Sequence, residues 1–182
     1  MCLSTNLAKN VYTNTLKIDG GIMIKSFYLL KPKMFTADMY YKVFVTGDCI
    51  YFIKIGGQFH SRHAYKKQLP GISELLFLFW FKKIEKKQLN LETEIDTKIH
   101  TGNIHELLQL KNNFSIEINT IEEVLLNKRG TFHTGFNDNG TISFMLKNGQ
   151  KIKFIIPEET LFSSIEEIFD QYEQTIFVRE VF

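Results

Sequence analysis

The sequence is poor in arginine, and this shortage argues against one large class of function. Of the 22 basic residues, only Arg62, Arg129 and Arg179 are arginines, and the net charge is +2. Arginine is the usual residue for reading guanine or phosphate through two hydrogen bonds, and nucleic-acid-binding domains normally carry a strong positive field. We therefore do not predict nucleic-acid binding.

Cysteine and long apolar runs are also scarce. Cys2 and Cys49 show neither metal-binding nor redox spacing, which is typical of free thiols in a reducing compartment. No apolar run approaches the ~20 residues that span a bilayer, and the first residues lack the apolar centre of a signal peptide. These features predict a cytoplasmic protein that is, at most, peripheral to a membrane.

Recognisable catalytic motifs are missing as well. The sequence contains no P-loop, no GxSxG, no HExxH and no paired CxxC. His60 and His63 are three residues apart and could share a helix face near Cys49, as zinc ligands would. The solvated start of a helix explains the same histidines, so we predict no metal site, no cofactor and no catalytic residue. The sequence is interpreted as that of a non-enzymatic protein.

The composition is that of a globular protein, with 44% hydrophobic and 23% charged residues. Residues 1–22 are polar and show no period, which predicts a flexible tail before a single domain over 23–182. Gly20 and Gly21 precede Met23, and purine-rich glycine codons can form a ribosome-binding sequence. We therefore hypothesise that translation begins at Met23, which the intact mass of the native protein would test.

The first half of the domain contains strand signals. Residues 24–30 predict a strand, and 41–46 and 50–55 predict a hairpin. Its turn, 46–49, places Gly47 first, which suits type II′. From about 60 to 110 the composition becomes helical, with a helix over 72–91 and a short helix capped by Asn103. This region is interpreted as a helical insertion.

The second half is again rich in β patterns. Strands are predicted at 113–118, 121–128, 131–136, 141–147 and 150–156, with Asn139–Gly140 and Asn148–Gly149 as hairpin turns. Pro157 ends the last of these strands and can begin a helix. Apolar residues then recur at helical spacing from Leu161 to Tyr172, and 175–182 adds a strand or docks the tail. Strands segregated from helices predict an α+β fold with antiparallel sheets.

The insertion contains the run LLFLFWFKK, residues 75–83. Leaving these side chains in water would forfeit on the order of ten kcal/mol of hydrophobic free energy. Three covers remain open: the protein's own sheet, a protein partner or second copy, and an anionic membrane surface whose headgroups meet the lysines. The candidate binding residues are Leu76, Phe77, Phe79, Trp80, Lys82, Lys83, Lys86 and Lys87.

Four segments together resemble the bacterial PH-like (pleckstrin-homology-like) proteins. They are YKVFVTGDCIYFIKIGGQF, NNFSIEINTIEEVLLNK, TISFMLKNGQKIKFIIPEE and SSIEEIFDQY. The resemblance covers roughly residues 40–172 and is interrupted by the insertion. It implies a partly open antiparallel β-barrel or sheet with a C-terminal amphipathic helix, used as a scaffold for binding lipids, peptides or other domains. Lipid-binding members of the family carry a cluster of Lys and Arg after the first strand, where this chain has Lys31 and Lys33.

The resemblance and the apolar run lead to one functional prediction with one alternative. We predict an interaction module that binds a protein partner or self-associates. The alternative is a peripheral membrane protein that binds lipid through the aromatic and lysine residues of 72–87.

Overall fold

The computed structural model describes residues 14–17, 23–33, 37–57 and 73–181; side chains are described for these except 14–17, 23, 73–85 and 88. The strands in these ranges are β1 (Asn14–Lys17), β2 (Met23–Lys31), β3 (Met39–Val45), β4 (Cys49–Gly56), β5 (Phe114–Glu117), β6 (Ile121–Asn127), β7 (Asp138–Leu146), β8 (Lys151–Pro157) and β9 (Phe177–Val181). The α-helices are α1 (Ser73–His100), α2 (Ile104–Leu108) and α3 (Phe162–Phe169). No helix in these described ranges combines the length and apolar character needed to cross a membrane.

Eight of the strands form one open sheet in the order β5-β4-β3-β2-β8-β7-β6-β9. β3 pairs along one edge of β2, and the strands β1 and β8 share the opposite edge of β2. β1 pairs with residues 23–26, whereas β8 pairs with β2 only where Ile155 lies opposite Leu30. The pairing is antiparallel except between β6 and β9. The predicted α+β class is therefore confirmed, as is its largely antiparallel sheet, which is open and not closed.

The inner face of the sheet holds the main hydrophobic core. On β3 and β4 the alternating residues Val43 and Phe52 point inward and are fully buried. The ring of Phe52 stacks between Phe114, with centroids 4.5 Å apart, and Phe154, at 5.1 Å. The predicted amphipathic helix is α3, whose Ile165 and two neighbours are buried in the same core.

The outer face of β2–β4 is also buried, because the insertion returns to cover it. All seven residues of β3 are buried. Tyr40, Phe44 and Ile53 form a second cluster with Ile95 and Ile99 of α1. The insertion separates β4 from β5 in sequence, yet these two strands pair as neighbours. The described C-terminal half of α1 thus packs on the protein's own sheet, while the side chains of 75–81 lie outside the described residues.

One Asn-Gly pair forms a turn and the other does not. Gly149, at φ +82°, lies in the turn between β7 and β8. The predicted turn at Asn139–Gly140 is wrong, because both residues lie within β7 at a register shift. Gly140 has φ +99°, and a Cβ added there would lie 2.0 Å from the carbonyl oxygen of Asn127. The Asn-Gly pair therefore marks a position that requires glycine, but this position is a β-bulge within a strand rather than a hairpin turn.

The predicted strand over 131–136 is also wrong, since this segment contains the 3-10 helix Phe132–Thr134. The carboxylate of Asp138 accepts a hydrogen bond from the N–H of Thr131 at 2.9 Å, and others from the hydroxyls of Thr131 and Thr134. Side chains that bond nearby backbone in this way compete with strand pairing. Residues 131–136 therefore form a loop closed by Asp138 instead of the strand that their alternating pattern predicts.

Several local predictions need smaller corrections. The β3–β4 hairpin is confirmed, but Gly47 does not adopt the positive φ of a type II′ turn. Instead, the Thr46 hydroxyl accepts a hydrogen bond from the N–H of Cys49 at 3.1 Å.

The predicted helix starts also need correction. Asn103 is the N-cap of α2 without a side-chain capping bond, and α3 begins at Phe162 rather than at Pro157. Part of the segment predicted as a flexible tail forms β1, paired with β2. The C-terminal segment forms β9.

Candidate binding cleft

Two strands in the described part of the chain have an unpaired edge beside the same cavity. β5 ends the sheet and pairs only with β4. Residues 151–154 of β8 pair only with β7, because β2 reaches β8 at Ile155 alone. Beyond the other end of β8, away from the cavity, the hydroxyl of Thr160 accepts the N–H of Tyr28 and donates to its carbonyl oxygen, both at 3.1 Å. The open sheet therefore leaves backbone free for a further strand.

A cavity of 630 Å³ lies along these edges, and we call it the β5–β8 cleft. Its lining residues come from β5, β8 and the segments beside them: Lys31, Phe114, Ser115, Ile116, Glu117, Thr120, Leu146, Gln150, Lys151, Ile152 and Lys153. Successive residues of a strand point to opposite faces. A cleft that touches four consecutive residues of β5 must therefore follow the edge of that strand rather than cover one face.

The floor of the cleft is apolar and aromatic. Phe114 is half-buried and packs against the inner core, where its ring stacks on Phe52. Ile152 and Leu146 are likewise partly buried hydrophobic residues beside the core. An occupant of the cleft would therefore cover apolar surface that the fold itself leaves partly in water.

The walls carry an excess of positive charge. Lys31, Lys151 and Lys153 face a single acidic lining residue, Glu117. The Nζ atom of Lys31 lies 5.6 Å from the ring centroid of Phe114 and 5.8 Å from that of Phe154. Within the described ranges, none of these lysines forms an ion pair with a carboxylate. Their charge is thus available to an anionic ligand.

The lining of the cleft carries mainly positive charge, hydrogen-bonding groups and apolar surface. It offers ammonium groups, hydroxyls, an amide and apolar side chains, with Glu117 as its one carboxylate and no histidine or cysteine. The described residues contain no group of three His, Cys, Asp or Glu side chains arranged to hold a metal ion. The cleft can therefore recognise charge and shape, and its residues supply no paired acid and base.

A second cluster of polar groups is buried under α1. The Lys42 side chain is 2% exposed, and its Nζ atom lies 2.7 Å and 2.9 Å from the two carboxylate oxygens of Asp96. The Tyr28 hydroxyl donates to Glu92 at 2.8 Å, and the Tyr40 hydroxyl donates to Glu159.

Burial, followed by the nearby carboxylates, raises the pKa of Tyr28 and of Tyr40 well above the usual value. The Tyr28–Glu92 and Lys42–Asp96 bonds join β2 and β3 to α1 and fasten the insertion to the sheet, while Tyr40 bonds Glu159, which follows β8.

The predicted binding residues lie on α1, apart from the residues that line the cleft. Lys86 and Lys87 are exposed, as the interaction hypothesis requires. The side chains of Leu76, Phe77, Phe79, Trp80, Lys82 and Lys83 lie outside the described residues, as do His60 and His63, so those predictions remain open. Sequence reasoning noted Lys31 but missed Lys151 and Lys153. Their alternation with Ile152 and Phe154 at the start of a strand was the signal that could have indicated them.

No protein-family model matches the chain, and neither do curated proteins or solved structures.

Proposed function

We propose that this protein is a non-enzymatic interaction module of PH-like architecture, and that it binds a protein partner at the β5–β8 cleft. The arrangement of elements supports the PH-like assignment. Two antiparallel arms, β2–β5 and β6–β8, meet where β2 touches β8, and α3 packs into the inner core between them. The hydroxyl of Tyr172, just after α3, donates to the carbonyl oxygen of Thr46 at 2.7 Å and holds this end of the fold together.

The observation that carries the binding proposal is the cleft itself. It combines a concave shape and an apolar floor with lysines and strand edges that have no ion-pair or strand partner in the described part of the chain. Binding pockets in proteins are typically about 300–1,000 Å³ and mostly apolar with a few placed polar groups. The 630 Å³ cleft has this character.

Site-specific photo-crosslinking in producing cells tests the proposal. A photoreactive amino acid is placed at Ser115, an exposed residue of the cleft, and in a control at Gln174, an exposed residue outside the lining. We expect a protein adduct at Ser115 and none at Gln174. The mass of the adduct distinguishes a second copy of this chain from another protein. Identical adducts at both positions, or none at either, would contradict the proposal.

The membrane alternative depends on the insertion. Lys86 and Lys87 are exposed on α1, where they can reach anionic headgroups. Co-sedimentation with vesicles, with and without anionic lipid, tests this alternative in the wild type and in a Trp80→Asp/Lys82→Glu variant. If the wild type sediments only with anionic vesicles and the variant does not, the membrane function replaces protein contact as the conclusion.

A further inference from the structure

The edge of β5 is unusually open to a partner strand. Natural sheets protect edge strands, because an unpaired row of N–H and C=O groups accepts other strands readily. Here the outer edge of β5 opens into a cavity instead of being covered by another described element. An extended segment that enters the cleft can therefore form main-chain hydrogen bonds with β5, as in recognition by strand addition.

The facing wall specifies the charge of such a segment. Lys151 and Lys153 are two residues apart on β8, both are exposed, and Ile152 between them is partly buried. Their side chains therefore point to the same face, about 7 Å apart along the strand. Side chains two residues apart in an extended segment have the same spacing. Acidic residues at alternate positions of a bound strand would match these lysines.

The floor specifies what stands between the acidic residues. A strand laid beside β5 turns alternate side chains toward opposite faces. With acidic residues directed to Lys151 and Lys153, the intervening residues face the partly buried Phe114 and Ile152. Apolar residues at these positions gain free energy by leaving water.

From these contacts we infer that the cleft binds an extended segment of a partner protein with acidic and apolar residues in alternation, added as a strand beside β5. The inference rests on the proposed function and names its ligand. Affinity arises from the main-chain bonds and the covered floor, and the lysines select the negatively charged sequence. A lipid headgroup would use the same lysines but would gain nothing from the free strand edge.

Fluorescence anisotropy with the full chain tests the inference, using a labelled seven-residue peptide in which glutamate alternates with valine. Three comparison peptides carry lysine for glutamate, N-methylated alternate amides, or the same residues scrambled to remove the alternation. We expect binding of the first peptide alone. We also expect slower hydrogen exchange at the amides of Ser115–Glu117 when it is bound.

Two charge-matched variants locate the binding. Lys151→Glu/Lys153→Glu reverses the cleft lysines, and Arg129→Glu/Arg179→Glu makes the same change in net charge at exposed residues near the opposite edge of the sheet. We expect the cleft variant to weaken peptide binding about tenfold, which is the effect of losing two exposed charge pairs of ordinary strength. We expect the arginine variant to leave binding within about twofold. Thermal unfolding of both variants verifies that each is folded.

Three results would overturn the inference: no peptide binding, equal binding of the N-methylated peptide, or an equal effect of the two variants. Binding of phosphatidylserine vesicles that requires Lys151 and Lys153, without peptide binding, would also overturn it and assign the lysines to a membrane. A Ser115 crosslink to another protein would still support the proposed function in each case, so the two conclusions can fail separately.

Discussion

The two faces of the β2–β4 region are both buried, but they are buried by different means. The inner face packs apolar residues such as Val43 and Phe52 against the rest of the sheet and α3. The outer face mixes apolar residues with Lys42, and it is covered by α1 and α2 of the insertion. The inner face is therefore stabilised mainly by burial of apolar surface, while the outer face also depends on bonds between charged groups.

The presence of a charged residue on the outer face alone indicates how the sheet accommodates the helix that covers this face. A strand with one solvated face tolerates lysine at an outward position, and Lys42 occupies such a position between Tyr28 and Ile53 in the strand pairing. When a helix covers that face, the lysine must find a partner, because a buried unpaired charge is costly. Asp96 on α1 supplies the partner and fixes the rotational position of the helix on the sheet.

The largest effect is expected from the inner face. Phe52→Ala removes a fully buried ring that stacks between Phe114 and Phe154 and leaves a cavity in the inner core. We expect the free energy of unfolding to fall by about 3–5 kcal/mol. Urea unfolding followed by circular dichroism measures it. The control is Phe177→Ala, which should change stability little because Phe177 is 64% exposed. Equal losses of stability in the two variants would contradict the conclusion that the stacked rings of the inner face stabilise the fold.

A smaller effect is expected from breaking the ion pair of the outer face. Asp96→Ala leaves the Lys42 ammonium buried without its main partner. Breaking a fully buried pair costs about 3–5 kcal/mol, but Asp96 is 30% exposed and water can approach, so we expect about 2 kcal/mol. Unfolding in urea at neutral pH measures the loss.

A matched double variant separates the charge from the packing. Lys42→Met/Asp96→Ala removes both charges, so it should recover much of the stability that Asp96→Ala loses. If the double variant is less stable than Asp96→Ala, the outer face depends on the shape of the lysine side chain rather than on its charge.

The same comparison explains what could be predicted from the sequence. The inner face was predictable because alternation in 41–46 and 50–55 is a local signal that each strand carries by itself. The burial of Lys42 was not, because its cover lies more than fifty residues away in the insertion. The β5–β8 cleft was missed for a similar reason: β2 meets β8 at Ile155 alone and leaves residues 151–154 without this neighbour, and no local pattern specifies where two strands separate.

The tyrosines of the two faces should respond to alkaline pH. Burial raises the pKa of Tyr41, on the inner face, to about 12, from an ordinary value near 10. Between pH 10 and 12 the unfolded chain loses the hydroxyl proton and the folded chain keeps it, so the unfolded state binds fewer protons and stability falls as pH rises. Below pH 10 this contribution is constant.

Tyr41→Phe tests this contribution. The variant should lose less stability than the wild type between pH 10 and 12, measured as the shift of the urea midpoint. Tyr28→Phe provides the outer-face comparison, because the pKa of Tyr28 is also raised, first by burial and then by Glu92. A pH profile identical to that of the wild type in both variants would contradict the assignment.

The smallest effect is expected where a similar ion pair lies in water. The Nζ atom of Lys98 is 3.3 Å from Glu106, and this pair joins α1 to α2 on the exposed side of the insertion. The hydrogen bond from Lys98 to Glu106 raises the pKa of the lysine, but both side chains remain solvated and are screened by salt. Glu106→Gln should therefore leave the urea midpoint unchanged within error, at low and at high salt. A loss comparable to that of Asp96→Ala would mean that charge pairing, rather than the burial of Lys42, stabilises the insertion on the sheet.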